Sequence, residues 1–165
     1  MKPAAYLGFM LFLVPLLFSC SSNAAQWTAH RFDGRSFQPD QKKTAETLWL
    51  KSGYLPHLGE TVPDAVGSQK LAKGAGAVAG LCFLQTSGGK LANANSSTPY
   101  PDEQITMKLP GEGVYVTRTD AAGYFIDSLY PGEYEFQCRG FKVTGTVRAG
   151  ETTLIPIRGG KRMAD

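Results

Sequence analysis

The chain has 165 residues with 17 basic and 14 acidic side chains. It is long enough for one domain and too evenly charged for a typical nucleic-acid-binding protein. The formal charge is only +3, and the densest basic cluster, at 158–162, is more typical of a solvated chain end than of a site for polyanions. We therefore expect no nucleic acid among the partners.

The first 19 residues have the form of an export signal. A single positive charge, Lys2, precedes an apolar run that continues to Phe18 and is interrupted by Pro15. This order of a charged and an apolar region is typical of a secretory signal peptide. The run is too short, and its flank too polar, for a good membrane-spanning helix. We expect residues 1–19 to be removed from the mature protein.

The four residues LFSC, which end the apolar run at Cys20, resemble the lipobox of bacterial lipoproteins. The resemblance implies that Cys20 is the acylated first residue of the mature protein. Several acyl chains on one residue hold a protein stably at a bilayer. Ser21, where sorting rules would look for Asp, implies the outer membrane, on its periplasmic or its surface face. The alternative is an ordinary signal peptide cleaved near Ala24, which would discard Cys20.

Residues 20–73 are expected to form a tether and linker between the lipid and the folded body. The first part is polar with a few aromatic residues, and the last part has glycine and proline but little periodicity. Between them, 41–52 has two interpretations. One is a short helix with Asp40 as its N-cap and Gly53 at its end, and the other is an irregular loop. We expect a mostly irregular segment.

From residue 74 onward, short strands alternate with turns. The runs ITMKL, VYVTRT and EYEFQC are separated by turn sequences such as PGEG, DAAG and LYPG. Strands are predicted at 77–84, 105–109, 114–119, from 124, at 133–138, 141–148 and 152–158. Short strands at this spacing are typical of an antiparallel β-sandwich. We expect one all-β domain over 74–158, followed by a flexible basic tail at 159–165.

The stretch EYEFQC shows how a strand of this domain is expected to face. Tyr134, Phe136 and Cys138 lie on one side of the strand and should face a core, while the intervening polar residues face water. Pro131 and the glycine after it form the corner before the strand. Asp120 is expected to cap its own turn.

Several motifs of this domain resemble the carboxypeptidase regulatory-like domain. They are Val78-x-Gly80, SGGKLANA at 87–94, Asp120-x-x-Gly123, Leu129-x-Pro131-Gly132-x-Tyr134 and Gly140. The resemblance implies a β-sandwich of the transthyretin-like (prealbumin) type over about residues 76–158.

The chain departs from that family pattern in two places. The residues ANSSTPYPDEQ are inserted before the second strand. The spacing between the aromatic of a later strand and Leu129 also fits two registers, which differ in the side chains that face inward. Either Tyr124 and Ile126 do so, or Phe125 does, because a slip of one residue reverses every side chain.

Two cysteines remain after the proposed cleavage, Cys82 and Cys138. In an exported protein such a pair indicates a disulfide. Both residues share strand parity with apolar neighbours, so both are expected to face the interior. Two buried free thiols are the alternative.

No catalytic constellation, metal site or cofactor site is evident in the sequence. The only histidines, His30 and His57, precede the predicted sandwich. We therefore expect a non-catalytic envelope module that binds or scaffolds an unidentified protein or glycan. The alternatives are a component of a secretion or envelope assembly machine and an enzyme with an unrecognised site.

We expect the long loop predicted at 85–104 to be the contact surface, because loops on a rigid β scaffold commonly carry recognition. The alternative is a disordered insertion without function. Its candidate contact residues are Tyr100, held between two prolines, and the polar Asn93 and Asn95.

Overall fold

The computed structural model describes residues 26–87 and 96–163, and within these ranges it contains β-strands and no helix. The predicted all-β class is therefore confirmed. No helix that could cross a membrane is found in the part of the chain described. The strands are β1 Thr28–Phe32, β2 Phe37–Pro39, β3 Leu48–Leu50, β4 His57–Leu58, β5 Gly76–Ser87, β6 Ser96–Pro99, β7 Gln104–Leu109, β8 Gly113–Arg118, β9 Tyr124–Leu129, β10 Gly132–Cys138, β11 Phe141–Val147 and β12 Thr152–Met163.

Two sheets form the sandwich. The first has the order β11-β10-β7-β8. In the second, β5 pairs with β12 on one side and with both β9 and β6 on the other. The pairings within these sheets are antiparallel apart from β5–β12, which is parallel. The predicted antiparallel arrangement is thus correct except for that pair.

The parallel pair arises from the way the chain leaves the first sheet. After β11 the chain turns through residues 148–151 and starts β12 beside the start of β5. Backbone hydrogen bonds hold this start: Gly150 N–H donates to the Ala75 carbonyl over 2.8 Å, and Ala77 N–H donates to the Glu151 carbonyl over 2.9 Å. The two strands therefore run in the same direction from one end of the sandwich.

The main core lies between the two sheets. Tyr134, Phe136 and Cys138 of β10 are fully buried in it, as their alternation with polar residues predicts. The second sheet contributes Val78, Cys82, Phe125, Leu129, Ile155 and Ile157. Burial of these aromatic and aliphatic side chains, at about 25 cal/mol per Å² of apolar surface, is the main source of stability.

The N-terminal strands form a third layer, a four-stranded sheet of order β2-β1-β3-β4. Leu81, Phe83 and Tyr124 on the outer side of the second sheet cluster with side chains of this layer. The Phe32 and Phe83 ring centroids lie 4.7 Å apart, and those of Phe37 and Tyr124 lie 6.3 Å apart. Because β5 is covered on both faces, its sequence AVAGLCFL is apolar throughout rather than alternating.

This layer corrects the prediction of a tether with a possible helix at 41–52; most residues of the segment lie outside strands, but its four short strands form a packed sheet. The residues of that stretch form a turn and then β3, which pairs with β1. Asp40 caps no helix; its carboxylate accepts the Thr47 hydroxyl over 2.6 Å and the Lys42 N–H over 2.9 Å. Leu48 and Trp49 are both buried, on opposite faces of a strand, and this burial selects the extended form.

Two other boundaries are also corrected. The tail predicted at 159–165 is in fact strand as far as Met163, because β12 continues along the end of β5 after an irregularity between Arg158 and Lys161. The loop predicted at 85–104 is shorter than expected. Its first residues extend β5, and Ser96–Pro99 form β6, which pairs with β5.

The facing of residues 124–126 is now decided. Phe125 points into the sandwich core, and Tyr124 points into the cluster beneath the N-terminal layer. Both are almost fully buried, with exposures of 2% and 4%. The sequence leaves the choice open because Tyr124 and Phe125 are both covered, on opposite faces of the strand, so polarity does not mark the register there.

The stability of the protein should fall above about pH 10 because of Tyr124. Burial, followed by the nearby carboxylates of Glu46 and Asp120, raises the pKa of Tyr124 to about 12. The folded state thus binds the phenolic proton more tightly than the unfolded state does. This contribution is fully present below about pH 10 and is lost as the pH rises toward 12. Allowing for solvent screening, we expect a loss of about 1–2 kcal/mol.

Urea unfolding between pH 8 and pH 12 measures this effect, with Tyr124→Phe as the comparison. The variant should be almost as stable as the wild type at pH 8, because the hydroxyl donates only a long hydrogen bond, of 3.4 Å, to the Glu46 carbonyl. It should lose less stability at high pH. Some loss should persist, since burial also raises the pKa of Tyr134. Equal pH profiles for the two proteins would contradict the assignment.

Candidate functional site

The site residues predicted from the sequence are only partly described by the structure. Cys20, Asn93 and Asn95 lie outside the described residues. The Cys82–Cys138 disulfide is confirmed, with the two Cα atoms 6.5 Å apart and both residues fully buried. It joins β5 of one sheet to β10 of the other and so ties the sandwich together through its core.

Tyr100 does not stand on an exposed loop as expected. Its ring packs against the main core and the backbone of Gly159, and the Arg139 guanidinium lies 4.5 Å from the ring centroid. Its N–H donates to the Cys82 carbonyl over 2.9 Å, and its carbonyl accepts the Thr119 hydroxyl over 2.7 Å. These contacts follow from the pairing of β6 with β5, which draws the next residue onto the sandwich. Tyr100 therefore covers the disulfide end of the core.

The carboxylates beside Tyr100 are engaged by arginines. Arg118 donates to the Asp102 carboxylate over 2.7 Å and to the Asp102 carbonyl over 2.5 Å, while Arg139 pairs with Glu103. The hydrogen bond from Arg118 is the main cause that lowers the pKa of Asp102. Among the described residues, no cluster of three or more His, Cys, Asp or Glu side chains could hold a metal ion.

A cleft of about 500 Å³ lies at the edge of the N-terminal layer. Trp27, just before β1, and Tyr54, after β3, place their rings 5.6 Å apart with a tilt of 58°. The Lys51 ammonium lies 4.4 Å from the Tyr54 ring centroid and 5.7 Å from that of Trp27. Lys70 also lines the cleft. We call this the aromatic–lysine cleft; its other polar lining residues are Asp64 and Ser68.

Backbone hydrogen bonds fix the walls of the aromatic–lysine cleft. Tyr54 forms an antiparallel bridge with Lys70, so the two side chains project to the same side. The bridge is continued by two bonds, from Leu55 N–H to the Gln69 carbonyl over 2.8 Å and from Leu71 N–H to the Gly53 carbonyl over 2.9 Å. Gly53 N–H also donates to the Gly150 carbonyl over 2.8 Å, which joins the cleft to the sandwich.

The second candidate surface is the free edge of β8. This strand ends the first sheet, so one side of its backbone has no neighbouring strand among the described residues. Val114 and Val116 are each 57% exposed and Tyr115 is 39% exposed. The Tyr115 ring lies 6.3 Å from the Tyr134 ring, at the margin of the core. We call Val114, Tyr115 and Val116 with this edge the β8 edge.

Sequence reasoning missed both surfaces. The run VYVTRT was identified as a strand, but alternation cannot tell an edge strand from a central one. The aromatic–lysine cleft gathers Trp27, Lys51, Tyr54 and Lys70 from a segment predicted to be irregular, and no local pattern links them. No protein-family model, curated protein or solved structure matches the chain.

Proposed function

We propose that the chain is a lipid-anchored protein of the bacterial outer membrane, acylated at Cys20. Its carboxypeptidase regulatory-like sandwich, of the transthyretin-like type, binds a partner protein without catalysis. The observation that carries the binding proposal is the exposed apolar edge strand, β8. The partner adds an extended segment to this edge, where backbone hydrogen bonds give affinity and side chains at alternate positions give specificity.

The other edges of the described sheets carry features that discourage such pairing, whereas β8 has no proline and no charged residue before Arg118 at its end. Proline interrupts three of them: Pro39 in β2, Pro99 in β6 and Pro156 in β12. The edge strand β4 has only two residues, and β9 carries Asp127. The edge of β11 approaches β12, whose Thr153 hydroxyl donates to the Thr146 carbonyl. A six-residue strand with two exposed valines is thus the edge best suited to a partner.

The outer face of β8 and the residue at its end favour a partner segment that is extended and aligned with the strand. Val114 and Val116 lie on the outer side of the strand and offer apolar contact to every second residue of a partner. Arg118, at the end of the strand, is held by Asp102 and is therefore not a free charge. The partner segment accordingly carries β-branched or aromatic residues at alternate positions. A component of a secretion or envelope assembly machine would meet this description, and that remains a sub-case of the proposal.

A photo-crosslinking experiment in intact cells tests this function. A benzophenone amino acid replaces Val116, and the matched control places the same group at the exposed Thr144, on β11 of the same sheet. We expect an adduct with another envelope protein from position 116 and none from position 144. Adding Val114→Lys should suppress the adduct, because a charge on the edge opposes strand addition.

The same cells test the anchor. The mature protein should begin at an acylated Cys20, as mass analysis of its N-terminal peptide would show. Cys20→Ser should abolish the acyl modification, as the same mass analysis would show. A soluble mature form that begins near Ala25 would contradict the anchor. Equal adducts from positions 116 and 144, or an adduct made only of two copies of this chain, would contradict the partner protein at β8.

A further inference from the structure

The aromatic–lysine cleft lies apart from the β8 edge and has the features of a separate ligand site. We propose that it binds an anionic saccharide, a sugar that carries a carboxylate or a phosphate. The site consists of Lys51 and Lys70, the two aromatic rings, and the polar groups of the loop at 63–68.

Neither lysine of the cleft forms an ion pair with another of the residues that the structure describes. The ion pairs formed by the described residues involve other side chains, so neither Lys51 nor Lys70 has a carboxylate within 4.0 Å there. Asp64 lines the same cleft, but its carboxylate accepts the N–H groups of Val66 and Gly67 over 3.1 and 2.6 Å. The Asp64 carboxylate keeps its charge, but the two lysines outnumber it, so an anion that enters the cleft meets a net positive lining.

The Lys51 ammonium is held in place before any ligand arrives. The faces of the Trp27 and Tyr54 rings attract it through cation–π interactions, and its position between them limits the freedom of a long side chain. Ordering a lysine side chain on binding costs conformational entropy. A lysine that is already ordered therefore loses less entropy when it binds an anion. The two rings thus hold the Lys51 ammonium in position to pair with an anionic ligand.

The remaining lining suits a sugar ring. The tilted aromatic surfaces offer apolar contact to C–H groups, while the Ser68 hydroxyl and the free lone pairs of Asp64 can hydrogen-bond sugar hydroxyls. An inorganic anion would use the lysines alone, and a neutral sugar would use the rings and the polar groups but not the lysine charges. The cleft matches a ligand that has both features.

The proposed anchor would place this cleft near the membrane. Trp27 is seven residues after Cys20, so an extended tether would span at most about 25 Å. An anionic saccharide of the membrane surface would then be within reach. This placement depends on the proposed anchor, whereas binding by the cleft does not.

Calorimetric titration of the full-length protein in non-ionic detergent tests the proposal. The probes are a glucuronic acid oligomer, a phosphorylated glucose, a neutral glucose oligomer, inorganic phosphate and a short glutamate peptide. We expect saturable binding of an acidic sugar, weakened by salt, and at least about tenfold weaker binding of the neutral sugar, phosphate and peptide. The first two probes distinguish a carboxylate from a phosphate source.

Variants locate the site. Lys70→Gln should weaken binding of the acidic sugar about tenfold, and Trp27→Ala should weaken it to a similar extent. Lys73→Gln, an exposed lysine three residues from Lys70 that does not line the cleft, should bind as the wild type does. The proposal is overturned if the glutamate peptide or the neutral sugar binds as tightly as the acidic sugar. It is also overturned if no sugar binds, or if Lys70→Gln and Lys73→Gln behave alike. None of these outcomes bears on crosslinking at β8.

Discussion

Replacing Cys82 and Cys138 together by alanine is expected to lower the free energy of unfolding by about 4 kcal/mol. The bond closes a loop between residues separated by 56 positions. In the chain-entropy model, opening a loop of this length gives the unfolded chain much more freedom. The bond also joins the two sheets through the core, and both of its cysteines are fully buried in the folded state.

Thermal and urea unfolding would measure this loss. For a protein of this size the midpoint temperature should fall by roughly 10–20 °C. Wild-type protein unfolded in the presence of a thiol reductant is the control, since it loses the bond but keeps both side chains. It should match the double variant to within about 1 kcal/mol. If neither reduction nor substitution shifts the midpoint, the disulfide does not form in the native protein.

Phe136→Ala is expected to destabilise the protein by about 3–5 kcal/mol. Phe136 is fully buried at the centre of the main core, where its ring lies 6.0 Å from that of Tyr134 and close to Gly145 of β11. Removing the ring would leave a cavity, and the disulfide and the neighbouring strands would limit the collapse of the core around it. The loss of unfolding free energy should therefore include both the transfer free energy of the ring and the cost of the cavity.

Phe141→Ala is the matched control for this prediction. Phe141 is on the neighbouring strand β11, opposite Cys138, and is 47% exposed. Its loss should cost less than about 1 kcal/mol, because surface substitutions have small effects. Chemical unfolding of the two variants under the same conditions provides the comparison. Equal destabilisation by the two substitutions would contradict the assignment of Phe136 to the core.

The three layers relate the two proposed sites to each other. The β8 edge belongs to the first sheet, whereas the aromatic–lysine cleft belongs to the N-terminal layer on the outer side of the second sheet. Contacts such as Phe32 with Phe83, and the hydrogen bond from Gly53 N–H to the Gly150 carbonyl, connect the layer to the sandwich. A protein partner and a saccharide could therefore bind at once without competing for the same residues.

The sequence alone determined the features that depend on neighbours along the chain. The alternation of apolar and polar residues predicted that Tyr134, Phe136 and Cys138 lie in the core. Turn chemistry predicted that Asp120 caps its own turn, and its carboxylate accepts the N–H groups of Ala122 and Tyr124 over 2.9 Å each. Strand parity and an expected oxidising compartment were enough to pair the cysteines. These signals act over a few residues, so one sequence is sufficient to detect them.

The tertiary structure decided the features that depend on distant residues. Leu48 and Trp49 belong to a strand rather than a helix because β1 pairs with them, and Tyr100 is half-buried because β6 carries it onto the sandwich. The parallel pairing of β12 with β5 and the formation of the third layer also depend on residues that are distant in the sequence. Phe32 meets Phe83 across about fifty residues of chain. The local sequence indicates the propensity of each residue for strand or helix. Burial by a distant segment can override that propensity and so determine which of the two forms.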